Sequence, residues 1–151
     1  MIGLLQRVES ASVSVDGRVI GAIGAGLMVL IGVQRGDSQR QADRLLERLL
    51  GYRVFDDQDG RMNRSLTDVD GELLLISQFT LPADTRKGAR PSFTPAASPE
   101  LGRALFDYLL TRARALRPGV RTGEFGAHMK VALVNDGPVT FWLEVPPEAS
   151  S

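Results

Sequence analysis

Val131-Ala132-Leu133-Val134-Asn135-Asp136-Gly137-Pro138-Val139-Thr140-Phe141-Trp142-Leu143-Glu144-Val145, near the C-terminus, is the stretch around which the rest of the chain is organised. An apolar run, Val131 to Val134, and an alternating run, Val139, Phe141, Leu143 and Val145, both have the pattern of β-strands. Proline supplies no N–H to a ladder, so Pro138 between two such runs marks a break, an edge or a bulge. Glycine before it is free of Cβ restrictions. Taken alone, Asn135 to Thr140 reads first as an ordinary turn. The alternative is a cis Gly137–Pro138 peptide, since about 5–6% of X-Pro bonds in folded proteins are cis. That form would present a rigid pair of main-chain acceptors in a direction a regular strand does not offer.

Upstream, the same strand grammar recurs. Met1 to Val15 ends in alternation, with Ala11, Val13 and Val15 against Ser10, Ser12 and Ser14. Asp16-Gly17 reads as a two-residue hairpin turn, because a type I′ turn needs positive φ at both positions. Arg18 to Ile23 returns, Gly24-Ala25-Gly26 turns again, and Leu27 to Val33 has the composition of a buried strand. Ser38 and Gln41 form a capping box, followed by an apolar stripe of Ala42, Leu45, Leu46, Leu49 and Leu50 that predicts an amphipathic helix ending near Gly51. Gly71 to Leu81 reads as another strand, and its apolar core from Leu73 to Ile76 predicts cover on both faces. Pro82 to Ala97 is a long loop rich in Pro, Gly and basic residues, a length usually associated with function or mobility. Ser98-Pro99 starts a second helix as N-cap and first helical residue, with Leu101, Leu105, Tyr108, Leu109 and Leu116 marking its buried side. Arg117-Pro118-Gly119 stops it. The pattern predicts a single α+β domain spanning 1–151, with a mostly antiparallel, barrel-like sheet and two amphipathic helices. No internal repeat or domain linker is evident.

The 151 residues suffice for a sizeable core, and 43% hydrophobic with 24% charged residues is ordinary for a globular protein. Cysteine is absent, which excludes disulfides, thiolate metal sites and a Cys nucleophile, and fits a reducing compartment. The apolar runs are far shorter than a membrane span, and the opening residues lack a signal-peptide pattern. Lys+Arg and Asp+Glu both number 18, so the net charge is zero and any RNA contact must be local. A single histidine, His128, rules out a multi-histidine metal site, and no metal or cofactor is expected. It reads as structural or surface. Asp56-Asp57-Gln58-Asp59-Gly60 resembles a calcium loop only superficially. With Gly60 at the sixth position, Phe55 falls first and no Glu stands twelfth, so the segment reads as a solvated turn.

The polar interruption that stands out is Ser77-Gln78-Phe79-Thr80, directly after Leu73 to Ile76. Strand alternation puts Ser77 and Phe79 on one face and Gln78 and Thr80 on the other. Polar groups at the end of a buried strand are satisfied internally or turned toward a ligand, and residue chemistry alone favours the first. Thr80 lacks an adjacent base in the sequence, which makes it a weak nucleophile.

Together, Ser77-Gln78-Phe79-Thr80-Leu81 and Asn135-Asp136-Gly137-Pro138-Val139-Thr140 resemble the two signature motifs of the D-aminoacyl-tRNA deacylases. The opening Met1 to Val15 with Arg7, the Lys87-Gly88-Ala89-Arg90-Pro91-Ser92-Phe93 loop and the chain length are similar to that family too. The resemblance covers essentially the whole chain. It implies a cytoplasmic homodimer, with active sites at the subunit interface, that hydrolyses the ester joining a D-amino acid, or glycine, to the 3′ end of tRNA. It places catalysis at Ser77, Gln78, Phe79 and Thr80, with main-chain N–H groups around Phe79 and Thr80 as oxyanion donors and the 2′-hydroxyl of the terminal adenosine assisting. Thr80 and Gln78 are expected to orient substrate or water, with no covalent acyl-Thr80. Gly137-Pro138, cis and inserted into the partner's site, would exclude L esters by main-chain bulk. Arg7 is expected to hold that turn from across the interface, with Asn135 and Thr140 supporting the motif. Lys87, Arg90 and Phe93 are the candidate tRNA contacts, Phe93 by stacking on the terminal adenine. Arg86 and the cluster Arg112, Arg114, Arg117 and Arg121 are further basic candidates. Two rival readings are a non-catalytic oligomeric nucleic-acid-binding domain and an editing domain for another aminoacyl ester.

Overall fold

The computed structural model describes residues 1–148. Its sheet is built on one long strand, β1 (Ile2–Val15), which antiparallel neighbours flank on both sides. β2 (Arg18–Ile23) returns along the second half of β1, joined by Asp16 and Gly17 at φ 51° and 78°. These are the positive values that the two-residue turn requires. β3 (Gly26–Gly32) pairs with the first half of β1, Leu4 opposite Leu30 and Gln6 opposite Met28. The sheet is then mixed. β6 (Glu72–Ser77) runs parallel to β3, and β7 (Arg121–Thr122) runs parallel to β6. The antiparallel pairs dominate as the alternation implied, but local sequence carries no signal for which partner a buried strand takes. The sheet curls back on itself, so that a Cβ at Gly21 of β2 would stand 2.8 Å from the Thr122 carbonyl of β7.

Among the described residues three helices occur where the periodicity predicts two. α1 (Gln39–Gly51) starts at the Ser38 capping box, in which Ser38 N donates to Gln41 Oε1 at 2.8 Å and the Ser38 hydroxyl accepts from Arg40 N. Ala42, Leu45, Leu46 and Leu49 turn inward against Leu5, Val29 and Ile31, and each buried leucine contributes roughly 2 kcal/mol of transfer free energy. α2 (Leu66–Val69) is one turn, too short for periodicity to reveal, yet Ser65 and Asp68 cap it reciprocally. α3 (Pro99–Leu116) follows Ser98, whose hydroxyl accepts from Leu101 N. It buries Leu105, Phe106, Leu109 and Ala113; Ala113 takes the inward place in the last turns, and Leu116, expected on that face, is exposed.

β4 (Phe55–Asp56) and β5 (Met62–Arg64) form a small hairpin apart from the main sheet. Its acidic turn is organised by its own donors: Asp57 accepts from the amides of Asp59 and Arg61 and from the Asn63 side chain. Those donors hold the Asp57 carboxyl below its usual range. Among the described residues no group of three His, Cys, Asp or Glu side chains is arranged to hold a metal, and no helix is long and apolar enough to cross a membrane.

The last strand, β8 (Lys130–Glu144), is continuous on both sides of the Gly-Pro step, where the sequence suggests two separate strands. It lies antiparallel along β1 with Gln6 opposite Thr140 and Val8 opposite Asn135. Residues 136–139 therefore bulge out opposite one residue, Arg7.

Candidate active site

β6 is buried from Leu73 to Ile76, each at most 1% exposed, and ends at Ser77. The strand stops four residues earlier than its composition suggests because the next backbone groups turn. Gln78 N still donates to Ile31 O of β3 at 2.8 Å, but Leu81 N donates to Gln78 O and Ala83 N to Thr80 O. Strand alternation therefore does not apply beyond Ser77. The Gln78 amide instead donates directly to the Thr80 hydroxyl, and the Phe79 side chain is 69% exposed. Gln78 and Thr80 partner each other at the surface, so the polar pair is satisfied and accessible at once.

The loop after this turn is ordered by main-chain bonds. Asp84 and Ser92 exchange both amide–carbonyl bonds, Arg35 N donates to Pro95 O, and Ala97 N to Val33 O. Arg86 binds Asp84 through two nitrogens at 2.9 and 2.8 Å, and holds the Asp84 carboxyl down at about 2. The returning limb brings Phe93 against Phe79, ring centroids 5.6 Å apart at 42°. An exposed aromatic pair thus stands beside the Gln78–Thr80 pair, with Lys87 and Arg90 exposed on the intervening loop. The arginines at the C-terminal end of α3 and just after it are occupied differently. Arg112 pairs with Asp43, Arg114 donates to Val120 O, and Arg117 binds Asp70 and Gly71 O. His128 is exposed.

The second stretch forms a braced bulge. Within it the Gly137–Pro138 peptide is cis, Gly137 has φ 143°, and both residues are exposed. Asn135 holds its neck: its Oδ1 accepts from Val139 N and its Nδ2 donates to Thr140 Oγ1, both at 2.8 Å. Gln6 also donates to Thr140 Oγ1, at 3.4 Å. Arg7 fills the space beneath the bulge with a side chain only 12% exposed. It reaches the turn within its own chain: Nε donates to Asp136 O at 3.0 Å, and Nη1 to Val54 O at 2.7 Å. The Asp56 and Asp136 carboxylates flank the guanidinium at 3.5 and 3.6 Å. Gln6 and the Val54–Asp56 segment also belong to this arrangement from outside both motifs, and Asp136, inside the second motif, takes a part in it that its position in the sequence did not reveal.

The two stretches share one sheet but do not meet in one chain. From β6 the order runs through β3 and β1 to β8, three strand spacings or about 14 Å along the sheet. One place therefore gathers Gln78, Phe79, Thr80 and Phe93 with Lys87 and Arg90 on the same loop. Another gathers Arg7, Asn135, Gly137, Pro138 and Thr140.

Comparison with known proteins finds similarity over nearly the full length of the chain. The family model described as D-Tyr-tRNA(Tyr) deacylase matches residues 4–144. A D-aminoacyl-tRNA deacylase of Thioalkalivibrio sulfidiphilus is 68% identical over 147 residues, covering 97% of this chain and 99% of that one. The protein of the same name from Cupriavidus metallidurans is 60% identical, with both chains covered fully. Among solved structures, the c-Myc DNA Unwinding Element Binding Protein superposes with a TM-score of 0.92 at 40% identity, over 97% of this chain and 99% of that one.

Proposed function

Because this chain belongs to the D-Tyr-tRNA(Tyr) deacylase family, we propose that it hydrolyses the ester between a D-amino acid and the 3′ end of tRNA, releasing the amino acid and free tRNA. The family match across residues 4–144 is the observation that carries this reading. The finer reading extends the substrates to glycyl esters and excludes L esters by the main chain at Gly137 and Pro138.

In this reading Phe79 and Phe93 receive the terminal adenine by stacking, and Lys87 and Arg90 meet nearby phosphates. An aminoacyl ester is already activated, so oxyanion stabilisation by main-chain N–H groups near Phe79 and Thr80 suffices without a covalent intermediate. The Gln78–Thr80 pair supports an orienting role: a hydroxyl already accepting from an amide is positioned to steer water or the ester, with the adenosine 2′-hydroxyl assisting. The bulge at Gly137 and Pro138 is exposed and lies three strand spacings from this surface within its own chain. That separation supports a homodimer, acting in the cytoplasm, in which each protomer lends its bulge to the other's site.

Deacylation of D-Tyr-tRNA and L-Tyr-tRNA by the parent and by Thr80→Ala tests the reading. The parent is expected to cleave the D ester and spare the L ester, while Thr80→Ala retains slowed cleavage with no acyl-Thr80 trapped in the parent. Cleavage of neither ester would favour a nucleic-acid binder. Equal cleavage of both would remove the chiral role of the bulge.

A further inference from the structure

The geometry points to the connection that leaves α1 and runs through β4, Tyr52 to Asp56, as a positioning element for the 136–139 bulge, with Tyr52 and Asp56 as its positioning residues. This rests on the proposed selection of D esters by that bulge.

A four-residue bulge opposite one strand residue, exposed at Asp136, Gly137 and Pro138, has no ladder of its own to set its height above the sheet. The connection braces it from both sides. On the upstream side, Arg7 Nη1 is fixed by the carbonyl of Val54, a fully buried residue, and lies 3.5 Å from Asp56. The same guanidinium carries Nε to the Asp136 carbonyl, and its Nη2 lies 3.4 Å from where a Cβ on Gly137 would stand. A guanidinium is planar and rigid, so the place where Val54 and Asp56 hold one nitrogen fixes where the others meet the bulge. On the downstream side, the Tyr52 ring packs on Phe141 at 5.7 Å. Tyr52 and Val54 are further linked by a main-chain bond of 3.1 Å. The connection leaves the C-terminal end of α1, whose Leu45 and Leu49 are fully buried. The bulge is thereby referred to the core through α1.

Energy and position separate here. Asp56 is about half exposed, and such a pair adds little to stability. Exclusion by shape is far more sensitive: a misplacement of about 1 Å can cost on the order of a hundredfold in rate. The element should therefore be visible in selectivity before it is visible in stability.

The test measures kcat/KM for D-Tyr-tRNA and L-Tyr-tRNA in Asp56→Ala, Asp56→Glu, Tyr52→Leu and a control in the same hairpin, Asp59→Ala. The D-to-L ratio is expected to fall about threefold in Asp56→Ala and about tenfold in Tyr52→Leu. Asp56→Glu should restore it and Asp59→Ala should leave it alone. Exchange of the Arg7 Nε–H, followed by NMR, provides a readout independent of activity and should quicken in Asp56→Ala relative to Asp59→Ala. Ratios within about twofold of the parent in Asp56→Ala and folded Tyr52→Leu, with unchanged Nε–H exchange, overturn the inference. A parent with no D preference sinks the proposed chiral role instead, and the Nε–H exchange alone then decides whether the connection positions Arg7.

Discussion

Gly137→Ala perturbs the bulge at a point where the structure sets the magnitude. Gly137 has φ 143°, a region that L side chains rarely adopt, and holding an alanine there costs of order 1–3 kcal/mol. The added Cβ would stand 2.6 Å from Val139 Cγ2 and 2.8 Å from Val139 N. That nitrogen donates to Asn135 Oδ1, so relieving the clash means loosening the bond that closes the neck, about 0.5–1.5 kcal/mol more. The sum, roughly 1.5–4.5 kcal/mol, is an upper limit, because an exposed bulge can relax by moving. In either case the carbonyls at 137 and 138 leave their places. With about 2–4 °C of Tm per kcal/mol at this chain length, the expected drop is under about 18 °C, with the fold retained. D-Tyr-tRNA and L-Tyr-tRNA cleavage measured alongside calorimetry should show the D-to-L ratio collapsing by tenfold or more, the scale of a misplacement of about 1 Å. Parent-like selectivity together with an unchanged Tm would refute both the packing argument and the role given to the bulge.

Asp37→Ala removes the carboxylate that pairs with the buried Met1 ammonium at 2.9 Å, where both groups are fully shielded. Breaking a buried pair typically costs about 3–5 kcal/mol, so calorimetry should show a large loss of Tm; a shift under about 2 °C would contradict it. The Asp84 carboxyl is held at about 2 by hydrogen bonds from Arg86, against an ordinary 3.8. Because the folded value is depressed, its contribution is present above pH 3.8 and lost as the pH falls toward 2. Carbon NMR of the Asp84 carboxyl should give a midpoint near 2, and a midpoint at the ordinary value would show that the Arg86 contact does not persist in solution.

Local signals in the sequence located what local physics determines. The Ser38–Gln41 capping box and the Asp16-Gly17 turn both hold in the structure, because each is closed by bonds between residues at most three apart. The apolar run Leu73 to Ile76 correctly implied two covered faces, but an apolar run is equally suited to a parallel or antiparallel neighbour, and its parallel pairing with β3 was not readable. Composition extends β6 four residues beyond its end because Phe79 and Thr80 have strand propensity, while the bonds from Leu81 and Ala83 that turn the chain involve only main-chain atoms. Gln78 and Thr80 were identified by residue type, yet their mutual bond arises from that turn rather than from strand alternation.

Arg7 marks the limit of such reading. As one residue in an alternating strand it is an ordinary half-buried cation, and its value lies in what stands opposite. β8 loses register by several residues at the Gly-Pro step, and only a long planar donor on β1 can reach across the gap to the Asp136 carbonyl while anchored at Val54. A lysine there would bring a point charge with no fork, able to meet one carbonyl at a time. The spacing of the bulge and the identity of the residue beneath it are thus one requirement written in two distant places, residues 7 and 136. A pairing of that kind is visible only once the register between β1 and β8 is known.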